Sequence, residues 1–383
     1  MRANVFTDAS LTRQAGRYVW LAMDTEKARN AALKKRLGIQ AIPTYFIIDP
    51  ADEHVALRWV GGATTTQLQK LLDEGGTAAA SARPPGRASS PADQALARAD
   101  RFYGAGDYAA AATAYHEALA AAPAAWPRYA RAVEALSFAL SQTGQNEAIV
   151  TLARAAYPRL EGTVSVASLA SSALDAALEL PDSVANRATT VTEFERRCRE
   201  VLADPKLVLA GDDRSGVYIA LLDARKDAKD DAGARGVAGE WATMLEGEAA
   251  RAKTPEGRAV YDSHRVSAYL ELGQPERAIP MLEASERDLP GDYNPPARLA
   301  VAYRAMKRWP EALAASDRAF AKSYGPRQLG MYQARADIYL GLADTTGARR
   351  TLASAIAFAD SLPPGQRSES TLATLRKRLE GLH

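Results

Sequence analysis

Apolar residues recur at helical spacing along most of the chain, from Ala92 to the C-terminus. Glycine and proline mark the short turns between these segments, because neither residue continues a helix readily. Between residues 160 and 258 the turns are less regular, but helical periodicity continues over residues 165–180, 190–202, 215–226 and 236–253. A last segment, residues 369–382, carries Leu372, Leu375 and Leu379 on one stripe and is predicted to cap the array. The pattern therefore predicts a mostly helical protein.

The helical segments also repeat one another. A small residue behind the turn recurs at Ala278, Ala312 and Ala348, at spacings of 34 and 36 residues. In each of these copies an aromatic residue precedes the turn, and an earlier copy has the same arrangement. The aromatic and small residues of the four copies are Phe102 and Ala111, Tyr269 and Ala278, Tyr303 and Ala312, and Tyr339 and Ala348. Small residues let two helices approach closely, and the ring fills the space beside them. The pattern resembles the tetratricopeptide repeat, whose period is about 34 residues.

This resemblance implies a superhelix of stacked helical hairpins whose first helices line a groove for a protein or peptide partner. The positions that it places in the groove are Asp100 and Tyr103 in the first copy, and Ser267, Leu270, Val301, Arg304, Asp337 and Leu340 in the later ones. Some members of the family clamp C-terminal carboxylates with paired lysine and asparagine, which are missing at these positions. The mixed groove therefore suggests an extended peptide or a protein helix as the partner.

Residues 1–75 follow a different pattern, in which continuous apolar runs alternate with charged stretches. The runs at residues 18–23 and 44–48 are typical of strands buried on both faces, and residues 54–60 alternate like a returning strand. Helices are predicted over residues 8–16, 25–37 and 64–72, with Asp8 or Ser10 as the first N-cap and Gly38 ending the second helix. Residues 76–91 contain no aromatic or large aliphatic side chain and are predicted to be a flexible linker to the repeats at 92–383.

The order helix–strand–helix–strand–strand–helix resembles the C-terminal three-quarters of a thioredoxin fold. The residues that carry the resemblance are Asp24 after the first strand, the segment GIQAIPT at residues 38–44, Asp49 and Gly61. The resemblance implies a small α/β domain over residues 1–75 in which Pro43 is the cis-proline of the fold. Ile42 and Pro43 then become candidate peptide-binding residues.

The chain departs from this family at its start. The family's W-C-x-x-C motif and the strand before it lie upstream of the segment that Val5 and Phe6 match. One interpretation is that Met1 is an internal methionine of a longer reading frame, so that the strands at 18–23 and 44–48 lack their central neighbour. The other is a redox-inactive domain that has rebuilt its sheet.

Composition narrows the chemistry. Lys+Arg (48) and Asp+Glu (46) nearly cancel to a net charge of +2, which argues against nucleic acid as a partner. No apolar run approaches the roughly 18 residues of a membrane span. The single cysteine, Cys198, rules out an intramolecular disulfide within the sequence and is predicted to be a buried core residue. The four histidines are scattered, so the sequence predicts no metal, no cofactor and no catalytic residue.

Two functional hypotheses follow. The first is a protein-interaction module, a tetratricopeptide-like array beside a redox-inactive thioredoxin-like domain. The alternative is a thiol–disulfide oxidoreductase whose C-x-x-C motif lies upstream of Met1. The sequence as it stands suggests a cytoplasmic protein, and an upstream signal peptide would instead place it in the periplasm or outside the cell.

Overall fold

The computed structural model describes residues 5–39, 42–81 and 90–382. These residues form α-helices, three short 3₁₀-helices and two β-strands. The α-helices, α1 to α18 in chain order, are Ala31–Arg36, Thr65–Ser81, Pro91–Ala105, Tyr108–Ala120, Tyr129–Gln142, Asn146–Leu160, Ser165–Leu178, Arg187–Ala203, Gly211–Asp227, Asp231–Arg251, Pro255–Ala259, Asp262–Glu271, Ala278–Asp288, Asn294–Ala305, Trp309–Lys322, Gln328–Gly341, Thr345–Ser361 and Glu369–Glu380. The strands are β1 (Thr44–Ile48) and β2 (Val55–Val60), and the 3₁₀-helices are Ala9–Gln14, Ala28–Asn30 and Pro275–Arg277.

The chain divides into two compact units. As far as they are described, the first unit contains Met1–Tyr18 and Leu37–Val237, and the second contains Val19–Arg36 and Ala238–His383. Each unit therefore combines a stretch of the helical array with a piece of the N-terminal 36 residues. The predicted separate domain over residues 1–75 stays a prediction.

Helices of the first unit pack in chain order as helical hairpins, from α3 and α4 to α8 and α9. The first hairpin illustrates the local signals. Gly106 ends α3 in the left-handed conformation (φ 80°), and Asp107 caps α4 by accepting a hydrogen bond from the Ala110 N–H (3.1 Å). Helices α7 to α10 confirm the segments predicted between residues 165 and 253.

The second unit contains the more regular repeats. The small residues Ala278, Ala312 and Ala348 are fully buried, as is Ala111 in the first unit. Helix α12 contacts α14, and α14 contacts α16, as expected when the first helices of successive hairpins stack. Helix α18 buries Leu372 and Leu375 and confirms the predicted last helix. The predicted fold class, a mostly helical chain of tetratricopeptide-like hairpins, is confirmed.

The prediction for one aromatic residue of the repeat is wrong. Phe102 does not fill the space beside Ala111, because it is 41% exposed. The neighbouring Tyr103 is buried instead and packs against Tyr108 and Tyr115. Helix α3 is covered on two sides, by α4 and by β2, and Phe102 is left on its solvent-facing stripe.

Strands β1 and β2 form an antiparallel hairpin in which Thr44 pairs with Val60 and Tyr45 with Trp59. One face of this hairpin packs on α2 through a cluster formed by Leu57, Ala63, Leu68, Leu71 and Leu72. The Ile42–Pro43 peptide bond before β1 is cis, as predicted.

Helix α2 begins with a capping box and ends later than predicted. The Thr64 hydroxyl accepts from the Gln67 N–H (3.2 Å), and the Gln67 side chain accepts from the Thr64 N–H (2.8 Å). The helix continues through Ser81, into the predicted linker, because residues 78–80 are alanine, the best helix former. The linker residues 82–89 lie outside the described residues.

The predicted strand at residues 18–23 is wrong. These residues have no regular secondary structure, and Val19 and Leu21 are 87% and 78% exposed. An apolar run becomes a strand only beside another strand, and β1 pairs with β2 alone. In the described residues the sheet therefore has two strands, and a thioredoxin-like domain is not shown.

The other N-terminal predictions hold in part. Asp8 caps the first helix by accepting from the Ser10 N–H, although the helix is 3₁₀. The helix predicted over residues 25–37 is divided between the 3₁₀-helix Ala28–Asn30 and α1. Among the described helices, none combines the length and the apolar character needed to cross a bilayer.

Candidate functional site

Two predicted groove residues of the first unit, Asp100 and Tyr103, are each only 3% exposed. Asp100 on α3 accepts two hydrogen bonds from the Arg131 guanidinium on α5, both 2.9 Å long, and a third from the Tyr115 hydroxyl (2.8 Å). Arg131 also forms an ion pair with Glu74 of α2 (2.8 Å). Burial opposes the charge of Arg131, but the two carboxylates hold the pKa of the guanidinium above its usual value. This cluster connects α2, α3 and α5.

Tyr103 faces an arginine from the β-hairpin. Arg58 of β2 is 3% exposed and donates one hydrogen bond to the Tyr103 carbonyl (3.0 Å) and another to the Gly38 carbonyl (2.9 Å). Its guanidinium also lies 5.3 Å from the ring centre of Tyr103, 5.9 Å from that of Tyr108 and 5.5 Å from that of Phe46. These distances are those of cation–π contacts.

The β-hairpin approaches α3 closely at a second point. A Cβ atom placed on Gly104 would lie 3.2 Å from the Val55 side chain, so glycine provides the space for this contact. The loop after β2 also reaches α9, where the Asp212 carboxylate lies beside Gly62. The face of the first unit that carries Asp100 and Tyr103 is therefore covered by the chain's own N-terminal residues.

Carboxyl groups lie further along this unit. Burial raises the pKa of Glu134 on α5 to about 7, although the Ser165 hydroxyl bonds to it, and nearby Asp213 raises the pKa further. Burial likewise raises the pKa of Asp213 on α9 to about 6. A carboxyl group with a raised pKa lacks a cation strong enough to balance it.

The six predicted groove residues of the second unit are accessible. Ser267 and Leu340 are exposed, and Leu270, Val301, Arg304 and Asp337 are half-buried. Arg304 on α14 donates a hydrogen bond to Asp337 on α16 (2.7 Å), and Arg378 on α18 donates to the same carboxylate. This ion-pair ladder shows that alternate helices present these side chains on one surface. We call the surface formed by these six residues and Arg378 the α12–α18 face.

A pocket of about 540 Å³ opens one helical turn from Val301. Arg298 of α14 lines it together with Val260, Leu289 and Pro290. The Arg298 guanidinium forms no hydrogen bond or ion pair within the described residues, and burial lowers its pKa. Because Arg298 and Val301 are three residues apart on a helix, they lie on the same side of α14.

The N-terminal piece of the second unit packs on the loops that follow α15 and α17. The Tyr324 hydroxyl donates to Asp24 (2.6 Å), the Arg327 N–H donates to Glu26 (3.0 Å), and the Gln366 side chain donates to the Thr25 carbonyl (2.8 Å). Sequence analysis missed these contacts because nothing local in either segment marks the other.

The remaining candidates lie in the first unit. Ile42 and Pro43 are exposed before β1, and their peptide-binding role stays a prediction. Cys198 is buried in α8, as predicted, and burial raises the pKa of its thiol. Asp49, Asp52 and His54 have ligand atoms within 4.8 Å of one another in the hairpin turn.

Sequence reasoning also missed Arg58, Glu74 and Arg131. A signal for Arg58 was present, because it is the only charged residue in the otherwise apolar strand VALRWV. A charge at such a position needs partners if the strand is buried. Neither Glu74 nor Arg131 has a comparable local signal.

Comparison with known proteins gives a remote likeness only. No family model and no curated protein matches the chain. A tetratricopeptide repeat protein from Parabacteroides merdae matches 76% of this chain and 98% of its own, at 14% identity and a TM-score of 0.44. BtubC from P. vanneervenii matches 62% of this chain and 91% of its own, at 15% identity and a TM-score of 0.39. The TPR2AB domain of yeast Sti1 in its pHSP90 complex matches 76% of this chain and 98% of its own, at 16% identity and a TM-score of 0.29. The helical-repeat architecture rests on the chain's own geometry and not on these likenesses.

Proposed function

We propose that the chain is a protein-interaction module that binds an extended peptide or a helix of a partner protein on the α12–α18 face. The observation that carries this proposal is the accessibility of the six predicted side chains on three stacked first helices. In the first unit, by contrast, the equivalent positions Asp100 and Tyr103 are buried.

The chemistry of the face supports a peptide partner. Leu270, Val301 and Leu340 supply apolar contacts, and the Arg304–Asp337–Arg378 ladder lies among them. A mixed surface of this kind can bury apolar side chains of a ligand while its charged groups fix the orientation. The Arg298 guanidinium in the neighbouring pocket has no ion-pair partner in the part of the chain that the structure describes, and it suits a carboxylate on the partner protein.

The proposal is tested by selecting random 12–15-residue peptides from a phage library against the full-length chain. Such peptides span about 3.5 Å per residue when extended. We expect selected peptides whose affinity falls at least about tenfold in Val301→Glu, because the added carboxylate is buried when the peptide binds. Binding is measured by fluorescence anisotropy with the labelled peptide.

The matched control is Ala314→Glu, which adds the same charge at an exposed position of α15. This variant should bind like the wild type. A library that yields no binder, or binders that lose equal affinity in both variants, would refute the α12–α18 face as the binding surface.

The alternative function, a thiol–disulfide oxidoreductase, gains no support from Cys198. A reactive cysteine needs an accessible thiolate. Cys198 is fully buried, and burial disfavours its charged form. Cys198 therefore gives no reason to replace the interaction module with an oxidoreductase as the proposed function.

A further inference from the structure

Arg58 lies in a pocket built mostly by the helical array. Tyr103 and Tyr108 provide two aromatic walls, and Phe138 supports both rings at centre-to-centre distances of 5.6 and 5.8 Å. Phe46, which is paired with Arg58 in the β-hairpin, adds a third ring. Three faces of π electrons around one cation form an aromatic cage.

The polar part of the pocket is the end of a helix. The Tyr103 carbonyl, which accepts from Arg58, belongs to the last turn of α3. Carbonyls of the last turn lack their usual intrahelical partners and carry the negative end of the helix dipole. The Tyr103 carbonyl already accepts from the Gly106 N–H (3.1 Å), so a cation that donates here uses the second lone pair of the oxygen and meets the negative end of the dipole.

The geometry favours a guanidinium over an ammonium group. Arg58 donates from Nη1 to the Tyr103 carbonyl and from Nη2 to the Gly38 carbonyl while it contacts the rings. A planar fork can do both at once, whereas an ammonium is a compact, strongly hydrated charge. Within the described ranges, no carboxylate forms an ion pair with Arg58, so shape and hydrogen bonding select the ligand.

We propose that the Tyr103–Tyr108 cage at the end of α3 is a guanidinium-binding site whose resident ligand is the chain's own Arg58. The β-hairpin is then a tethered ligand of the helical array, and Arg58 is the side chain that enters the site. This site is independent of the α12–α18 face and of the function proposed for it.

Chemical rescue of Arg58→Ala in the full-length chain tests the site. This variant removes the part of the side chain that N-ethylguanidinium resembles. We expect the amides of β2 to exchange with deuterium at least about tenfold faster in the variant, and N-ethylguanidinium at millimolar concentration to restore most of their protection. Ethylammonium should restore much less.

The cage side of the site is tested with Tyr108. Tyr108→Phe keeps the ring and removes a hydroxyl that has no hydrogen-bond partner in the described part of the chain, so β2 protection should stay within about twofold of the wild type. Tyr108→Leu removes the ring and should accelerate β2 exchange about tenfold. Arg98→Ala, at an exposed ion pair with Glu117, is the control for loss of an arginine and should leave β2 unchanged.

Three results would overturn the proposal. They are no rescue by N-ethylguanidinium, equal rescue by ethylammonium, and equal acceleration by Tyr108→Phe and Tyr108→Leu. If Arg58→Ala lacks the helical circular dichroism of the wild type, the two Tyr108 variants and Arg58→Lys test the proposal instead. Arg58→Lys keeps the charge but not the planar fork, and it should still lose most of the protection of β2.

Discussion

Replacing Asp100 with asparagine tests the buried ion-pair cluster of the first unit. Asp100 accepts three hydrogen bonds, two from Arg131 (2.9 Å each) and one from Tyr115 (2.8 Å). Asparagine has nearly the same shape but no charge, and its amide group cannot accept both arginine bonds. The substitution therefore removes charge compensation without leaving a cavity.

The expected cost follows from the geometry. Removing one partner of a buried ion pair costs about 3–5 kcal/mol, because the other charge stays buried without compensation. Glu74 still lies 2.8 Å from Arg131 after the change. We therefore expect Asp100→Asn to lower the opening free energy of this region by about 3 kcal/mol, the lower end of that range.

Native-state hydrogen exchange by mass spectrometry measures this quantity for the amides of α3 and α5 separately, which avoids assuming that the whole chain unfolds in one step. The matched control is Asp317→Asn, which breaks a pair with Arg335 in which the aspartate side chain is 58% exposed. Such a surface pair should contribute less than about 1 kcal/mol. Equal effects of the two substitutions would refute the reasoning, since the buried cluster would then contribute no more than a solvent-exposed ion pair.

Three further outcomes are expected. Because the pKa of Glu134 in the folded chain, about 7, lies above the ordinary 4.5, its charged carboxylate costs stability as the pH rises from about 4.5 to 7. Glu134→Gln should therefore raise the opening free energy of α5, measured by native-state hydrogen exchange, by about 2–3 kcal/mol at pH 8 and by less at pH 5, and an equal gain at both pH values would contradict the raised pKa. Ala312→Phe should lower stability by about 1–3 kcal/mol through overpacking, seen as a lower urea midpoint, whereas an unchanged midpoint would mean that the repeat register is wrong. Cys198 should react with a thiol reagent such as DTNB only in denaturant, and rapid labelling of the native chain would show that α8 opens.

The helical array could be predicted from sequence because its signals are local. A small residue such as Ala312 or Ala348 is buried by contacts between its own helix and the next one in the chain, so the spacing of such residues in the sequence predicts how the helices pack. The groove positions of the second unit follow from the same register. Their accessibility agrees with that register, and their role in binding stays a prediction.

The N-terminal residues could not be predicted as well, because their contacts are distant in sequence. The apolar run at residues 18–23 indicates a strand, but the sequence does not say whether a neighbouring strand exists. Likewise, Asp100 and Tyr103 are predicted to face a groove, and nothing near them in the sequence indicates that Arg58 contacts Tyr103 or that Arg131 links Asp100 to Glu74. A contact across 45 residues, such as that between the Arg58 guanidinium and the Tyr103 carbonyl, produces no periodic signal in the sequence.

The division of the first 36 residues between the two units has a consequence for biosynthesis. Asp24 bonds to Tyr324 and Thr25 to Gln366, which are 300 and 341 positions later in the chain. At a translation rate of about 5–20 residues per second, residues 19–36 leave the ribosome roughly 15–70 s before these partners exist. The helical hairpins can assemble one after another as they emerge, whereas Asp24, Thr25 and Glu26 must wait for partners that follow 300 to 341 residues later. We therefore expect residues 19–36 of the nascent chain to stay undocked and accessible to holding chaperones until Gln366 has emerged.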